Sequence, residues 1–355
     1  MDKRWKRLGD LLVNYSMEVK QGEKVIIAMK EIETYPLMHA VYKACIKAGA
    51  FPQVQFISEE LNHLIMKYGK QEQIDWVPEI EAYGMEWANV YFGLRGAHNL
   101  NVHWDMPAKK LSAHRSAMGK ISTMRWKKTR WCLLRVPNAA LAEQAEVDEE
   151  TITDMWFNAC LMDWSKVSQE WQRWADILNQ GKQIRIVGKE TDLSFSIEGR
   201  TWEVDNGKIN MPDGEICTAP SADTAKGKIY FENSGVLGGR LVHDIRLRWE
   251  KGKLIEATSS TNQDFLKAIV KSDPGASKIG EFAFGTNPYL NIFCKDILID
   301  EKIGGTIHIA LGRSYPNCGG HNESVIHWDI VKEMRQEGQV YLDNKLIFKN
   351  GKILL

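Results

Sequence analysis

The chain has 355 residues, with 46 Lys plus Arg set against 46 Asp plus Glu, so its formal net charge is zero. That balance excludes the basic surplus through which most proteins hold nucleic acid. With 44% apolar and 26% charged residues the chain is not disordered, and at roughly 150 residues per domain its length implies two domains.

No apolar run reaches the ~18 residues that would span a bilayer. Residues 1–10 are charged and lack the apolar core of a secretory signal. The six cysteines (45, 132, 160, 217, 294, 318) form no C-x-x-C pair. The expectation is a cytoplasmic protein with reduced thiols and no membrane or nucleic-acid partner.

In chain order, residues 5–19 carry Leu8, Leu11, Leu12 and Tyr15 at helical spacing, and Gly22 ends the pattern. Residues 24–29 read as a strand, 36–48 as a helix stopped by Gly49, and 52–57, 88–93 and 131–136 as further strands. Strands alternating with helices predict an α/β domain with a parallel sheet covered on both faces. Met124-Arg125-Trp126-Lys127-Lys128 matches no motif. Residues 149–178 read as one long helix whose Trp156, Trp164, Trp171 and Trp174 predict core or an apolar dimer interface. Beyond Gly181 short strands dominate: 183–187, 193–197, 228–231, 245–249 and 253–258, with one helix at 262–271. The expected organisation is therefore an α/β domain over 1–181 and a strand-rich α+β domain over 182–355.

A Walker A loop, G-x-G-x-x-G, H-E-x-x-H and G-x-S-x-G are all missing, which removes the commonest nucleotide, zinc-protease and serine-hydrolase signatures. What the second half does hold is a set of possible ligands beside glycines: Glu215, Glu281, Glu301, His308, His327 and Asp329, with Tyr315 shortly after His308. His327 and Asp329 are two apart, so on a strand both point to one face. Singly, each has a bland reading: a satisfied core histidine, or a solvated turn carboxylate. Together, four carboxylates and two imidazoles favour metal, because unneutralised carboxylates would raise each other's pKa values, and two divalent ions would balance four charges. Carboxylate and imidazole donors suit zinc, cobalt or manganese.

Three stretches carry a resemblance: Gly-Glu-Ile-Cys-Thr-Ala-Pro at 214–220, Gly-Glu-Phe-Ala-Phe-Gly-Thr-Asn-Pro at 280–288, and 305–329. They resemble the thermophilic aminopeptidase family, closely over 205–331 and by order of elements before that. The resemblance implies a cytoplasmic, homodimeric metallo-aminopeptidase that uses two metal ions on peptides with a free N-terminus. It implies Glu215, Glu281, Glu301, His308, His327 and Asp329 as ligands. Glu281 would be the bridge and the catalytic carboxylate, and Tyr315 a catalytic residue that is not a ligand. The competing expectation is a ring-cleaving dioxygenase on the same scaffold, with His308, His327 and Asp329 alone holding one non-haem iron. Such a site has no need of Glu215, Glu281 and Glu301.

Overall fold

A computed structural model describes residues 2–355, apart from the side chains of residues 125–127, so part of the unassigned 124–128 stretch lies outside the described residues. The chain divides into two compact units, residues 1–161 with 207–211, and residues 162–206 with 212–355.

The first unit is built on four parallel strands: β1 (Lys24–Lys30), β2 (Phe51–Ile57), β3 (Val90–Arg95) and β4 (Arg130–Arg135). They lie in the order β2-β1-β3-β4, and Asn210–Met211 adds a short fifth strand beside β4. β1 and β3 read as near-continuous apolar runs because both faces are covered, the mark of a parallel sheet. The α/β expectation holds, with local differences. The 5–19 helix is a Lys3–Leu11 α-helix followed by a π-turn at Leu12–Ser16. Helices at Glu59–Tyr68, Glu79–Trp87 and Ala108–Lys128 stand outside the elements read from the sequence, and in the last the apolar residues follow no clear period.

The stretch 149–178 is two helices, Glu149–Cys160 and Trp164–Leu178. The second starts afresh because the Asp163 carboxylate accepts from the Lys166 N–H, a side-chain cap at 3.1 Å. Trp156, Trp164 and Trp171 are buried within the chain. That stripe is core, and it leaves the dimer expectation without these residues as an interface.

The second unit stacks an eight-stranded sheet against a five-stranded one. In the smaller sheet the antiparallel strands His327–Glu333, Thr306–Gly312, Ile279–Gly285, Glu215–Thr218 and Glu203–Asp205 lie side by side in that order. Strand alternation sorts their residues onto two faces. Phe282, Phe284, Ile307, Ile309, Leu311, Trp328 and Ile330 form the buried apolar face. Phe282 meets Phe195 edge-on at 5.4 Å, and Phe284 meets Phe348 at 5.7 Å, both partners coming from the eight-stranded sheet. The opposite face carries the candidate site.

Candidate metal centre

On antiparallel strands, directly opposed residues share a face. Across this sheet Glu281 and Asp329 both oppose Ala310, His308 opposes Ala283, His327 opposes Gly312, and Glu215 opposes Gly285. Each long polar side chain therefore has, on at least one side, a neighbour with little or no side chain, which leaves room above the sheet. Gly285 is required for a second reason: a Cβ there would lie 2.2 Å from the Ile303 carbonyl oxygen.

Five of the six candidate ligands lie on these strands, and the sixth, Glu301, caps the Ile297–Asp300 helical turn. That turn is tied to the sheet. The Asn287 N–H donates to the Lys302 carbonyl at 3.0 Å, and the Thr286 N–H to the Gly214 carbonyl at 2.9 Å. The Asn287 side-chain amide donates to the Asp213 carbonyl at 2.7 Å. Gly214 is in the left-handed region at φ +127°, which only glycine adopts freely, and this bend directs Glu215 inward.

All six candidates come together. His308 Nε2 lies 3.5 Å from Glu215 Oε2 and 3.8 Å from Glu281 Oε1, while His327 Nε2 lies 3.1 Å from Glu281 Oε2 and 3.3 Å from Asp329 Oδ1. Three groups have ligand atoms within 4.8 Å of one another: Glu215, Glu301 and His308; Glu281, His327 and Asp329; and, with a thiol, Glu215, Cys217 and Glu281. Glu281 lies between the two histidines, one oxygen toward each. The His327 Nδ1–H donates to the Arg313 carbonyl at 2.7 Å, which turns Nε2 to the centre.

The donor set fits a cation. Glu215 Oε2, Asp329 Oδ1 and His308 Nδ1 are buried without a well-formed hydrogen bond, a costly state for polar atoms unless something else engages them. Burial pushes the Glu215 carboxyl well above the ordinary carboxylate range; Lys302 opposes that, and Glu301 and Asp205 add to it. For His327, burial favours the neutral ring, but Asp329 and Glu281 outweigh it and hold its pKa high. Metal-free, the cluster keeps protons that a cation would displace. Cys217 is also near Glu215 and Glu281. Its contact with the Cys318 thiol, together with burial, holds its proton on, so it does not offer a thiolate.

Sequence reasoning missed three residues here. Lys302 is wholly buried, touches Glu301, and places its ammonium 3.9 Å from both Asp213 and Glu215. Asp213 is likewise wholly buried, and Asp205, opposite Glu215, hydrogen-bonds it. Tyr315 packs its ring 4.9 Å from that of His327. Part of the Tyr315 ring reaches solvent, yet burial and the Glu281 and Asp329 carboxylates hold its phenol proton on more firmly than usual.

The family model of the thermophilic metalloproteases (M29) matches residues 1–353. The chain belongs to that family. It is thus a metal-dependent hydrolase of peptide bonds. Aminopeptidase 2 of Geobacillus stearothermophilus is 21% identical, over 93% of this chain and 92% of its own length. Among solved structures, AmpT from Thermus thermophilus superimposes with a TM-score of 0.88 at 20% identity, over 99% of both chains. A 2,5-dihydroxypyridine dioxygenase from Pseudomonas putida shares the fold more loosely, with a TM-score of 0.60 at 14% identity, over 99% of this chain and 96% of its own. No helix among the described residues is long and apolar enough to cross a membrane.

Proposed function

We propose that this protein is a two-metal aminopeptidase that removes N-terminal residues from peptides. The observation that carries this is the pair of adjoining three-residue clusters with Glu281 between them. Glu215, Glu301 and His308 would hold one divalent ion, Glu281, His327 and Asp329 the other, with Glu281 as bridge. Residues 182–355 would supply the whole site. Zinc, cobalt or manganese at such a site provides Lewis acidity and lowers the pKa of water.

The chain's own residues do the rest. A carboxylate of the site would accept the proton of the attacking water and pass it to the leaving amine. Tyr315, kept protonated by burial and by its acidic surroundings, donates a hydrogen bond to the oxyanion of the tetrahedral intermediate. Registration by the substrate's free α-amino group makes the enzyme an exopeptidase.

Chelation should abolish activity and a divalent ion should restore it. Leucine anilide should be cleaved and its N-acetyl form should not. Equal turnover of both would overturn the reading. The shared fold keeps the dioxygenase reading in view, and elemental analysis separates the two. About two equivalents of zinc, cobalt or manganese support the peptidase; one of iron supports an oxygenase, which leaves Glu215, Glu281 and Glu301 without a task. We propose further that the protein is cytoplasmic and homodimeric. Phe51, Phe56, Tyr68, Trp76, Ile80 and Tyr83 are exposed in the first unit, and a second copy packed on them would take that apolar surface out of water. Light scattering that returns 40.5 kDa at micromolar concentration would contradict the dimer.

A further inference from the structure

Residues 96–107 join β3 to the Ala108–Lys128 helix with no helix or strand of their own. None of residues 98–106 is buried, and their backbone bonds run within the loop: Val102 to Asn99, Trp104 to Asn101 and Met106 to His103. Among the described residues, every polar tie from this stretch to the rest of the fold passes through an imidazole. His98 Nδ1 lies 2.9 Å from Glu33, His103 Nε2 lies 2.8 Å from Glu59, and His63 Nδ1 lies 3.8 Å from Asp105. The His63 and His103 rings stack at 5.9 Å. Glu33 follows β1, Glu59 and His63 follow β2, and the loop follows β3. The contacts therefore lie along the carboxyl edge of the parallel sheet, where the strand order reverses between β1 and β3. Ligands of open α/β sheets sit in the crevice at such a point.

We infer that residues 98–106 form a strap, clamped over that edge by imidazolium–carboxylate pairs in mildly acid solution and released as the pH rises. The inference does not depend on the metal centre, which belongs to the other unit. A neutral imidazole still donates one hydrogen bond, but it loses the charge that makes the contact strong. The clamped state holds protons that the open loop gives up, so the clamp weakens as pH climbs through ~6.5, where imidazoles titrate. Glu59 does not titrate in that range. Burial alone would raise it, but Lys30 and His103 outweigh burial and hold its pKa down to about 2. Lys30 touches Glu59 from β1, and the Asn62 amide donates to it at 3.4 Å. On the Ala108–Lys128 helix, the Lys110 ammonium is committed to the Met66 carbonyl at 2.7 Å, and burial keeps His114 toward its neutral form. The protons that count are thus those on His98, His103 and His63.

Chymotrypsin tests this on the metal-loaded protein, because Leu100 and Trp104 are exposed in the strap. Cleavage there is followed by mass spectrometry at pH 6 and pH 8. At each pH it is divided by the rate for a free peptide of residues 96–107, which removes the protease's own pH dependence. The normalised rate should rise about tenfold from pH 6 to pH 8, the order set by partly buried charge-assisted bonds. The double variant His98→Gln, His103→Gln keeps hydrogen-bonding side chains without the charge, and it should be cut fast at both pH values. The double variant His98→Lys, His103→Lys carries permanent cations, and it should be cut slowly at both. A wild-type rate that does not change with pH overturns the inference, and so does a Gln variant that keeps the wild-type pH dependence. Should the Gln variant fail to fold, the Lys variant decides: a pH dependence in it as large as the wild type's overturns the inference, and slow cleavage at both pH values supports it.

Discussion

Lys302 is the least expected residue of the centre, because a lysine is almost never fully buried unless it is paired. Here its ammonium answers three carboxylates at once: Glu301 in contact, and Asp213 and Glu215 at 3.9 Å. Lys302→Met should therefore destabilise the protein by about 3–5 kcal/mol, the usual cost of stranding buried charge. Calorimetric melting checks this, and an unchanged Tm would show that the Lys302 ammonium does not offset its carboxylate neighbours. Tyr315 belongs to the other kind of residue, one whose loss should spare the fold. Tyr315→Phe should keep its metal and its Tm but lose kcat by roughly 10²–10³, the range for one oxyanion donor, with little change in KM. Wild-type kcat would make Tyr315 a packing residue, and depleted metal would make it a ligand.

At the scale of the element, the design of the centre is alternation. The same strand that sends Ile307, Ile309 and Leu311 into the aromatic core sends His308 and Ala310 the other way. Ala310 is as necessary as the ligands it opposes. Ala310→Leu should place three extra carbons among Glu281 and Asp329 and lower metal content severalfold, while circular dichroism stays native. Retained stoichiometry would show that the space above the strand is larger than the pairing implies.

This alternation also explains what could be read in the sequence. His327-Trp328-Asp329 and Ile307-His308-Ile309 are legible because period-two strands leave a polar residue conspicuous among apolar ones. Asp205 is not legible, because it ends a three-residue strand in a stretch that reads as a polar loop. Lys302 follows Asp300-Glu301, so in sequence it resembles a solvated charge cluster, and only the turn that buries all three tells otherwise. The parallel sheet of the first unit is legible from strands that alternate with helices. The split of 149–178 into two helices is not, since the apolar period runs across the break and only the Asp163 cap restarts the second helix.

For the whole molecule the centre sets how stability depends on pH. Without metal, burial raises Glu215, and His308 and His327 lie above their ordinary value because nearby carboxylates outweigh burial. The folded chain thus holds protons that the unfolded chain gives up above about pH 4.5 for the carboxylate and 6.5 for the imidazoles. Stability from these groups is present below those values and is lost as pH rises through the higher folded ones. Glu281 and Asp329 are shifted the other way and act only in acid, below the ordinary carboxylate range. The metal-free protein should accordingly melt at lower temperature at pH 8.5 than at pH 6.5, and the metal-loaded protein should show much less of this loss. A Tm for the metal-free form that rises over the same interval would contradict the arrangement.

The same retained protons make loading the centre an acid–base reaction with the surrounding medium. Each cation that enters must expel hydrogen ions into the buffer. Calorimetric titration of the stripped protein should then give an apparent heat that differs between Tris and phosphate in proportion to their ionisation enthalpies, and the slope counts the hydrogen ions released. The apparent affinity would weaken as the solution is acidified. In a mildly acid medium such a protein would surrender its cations while its fold, still held together by the hydrogen ions that replaced them, survived to take them up again.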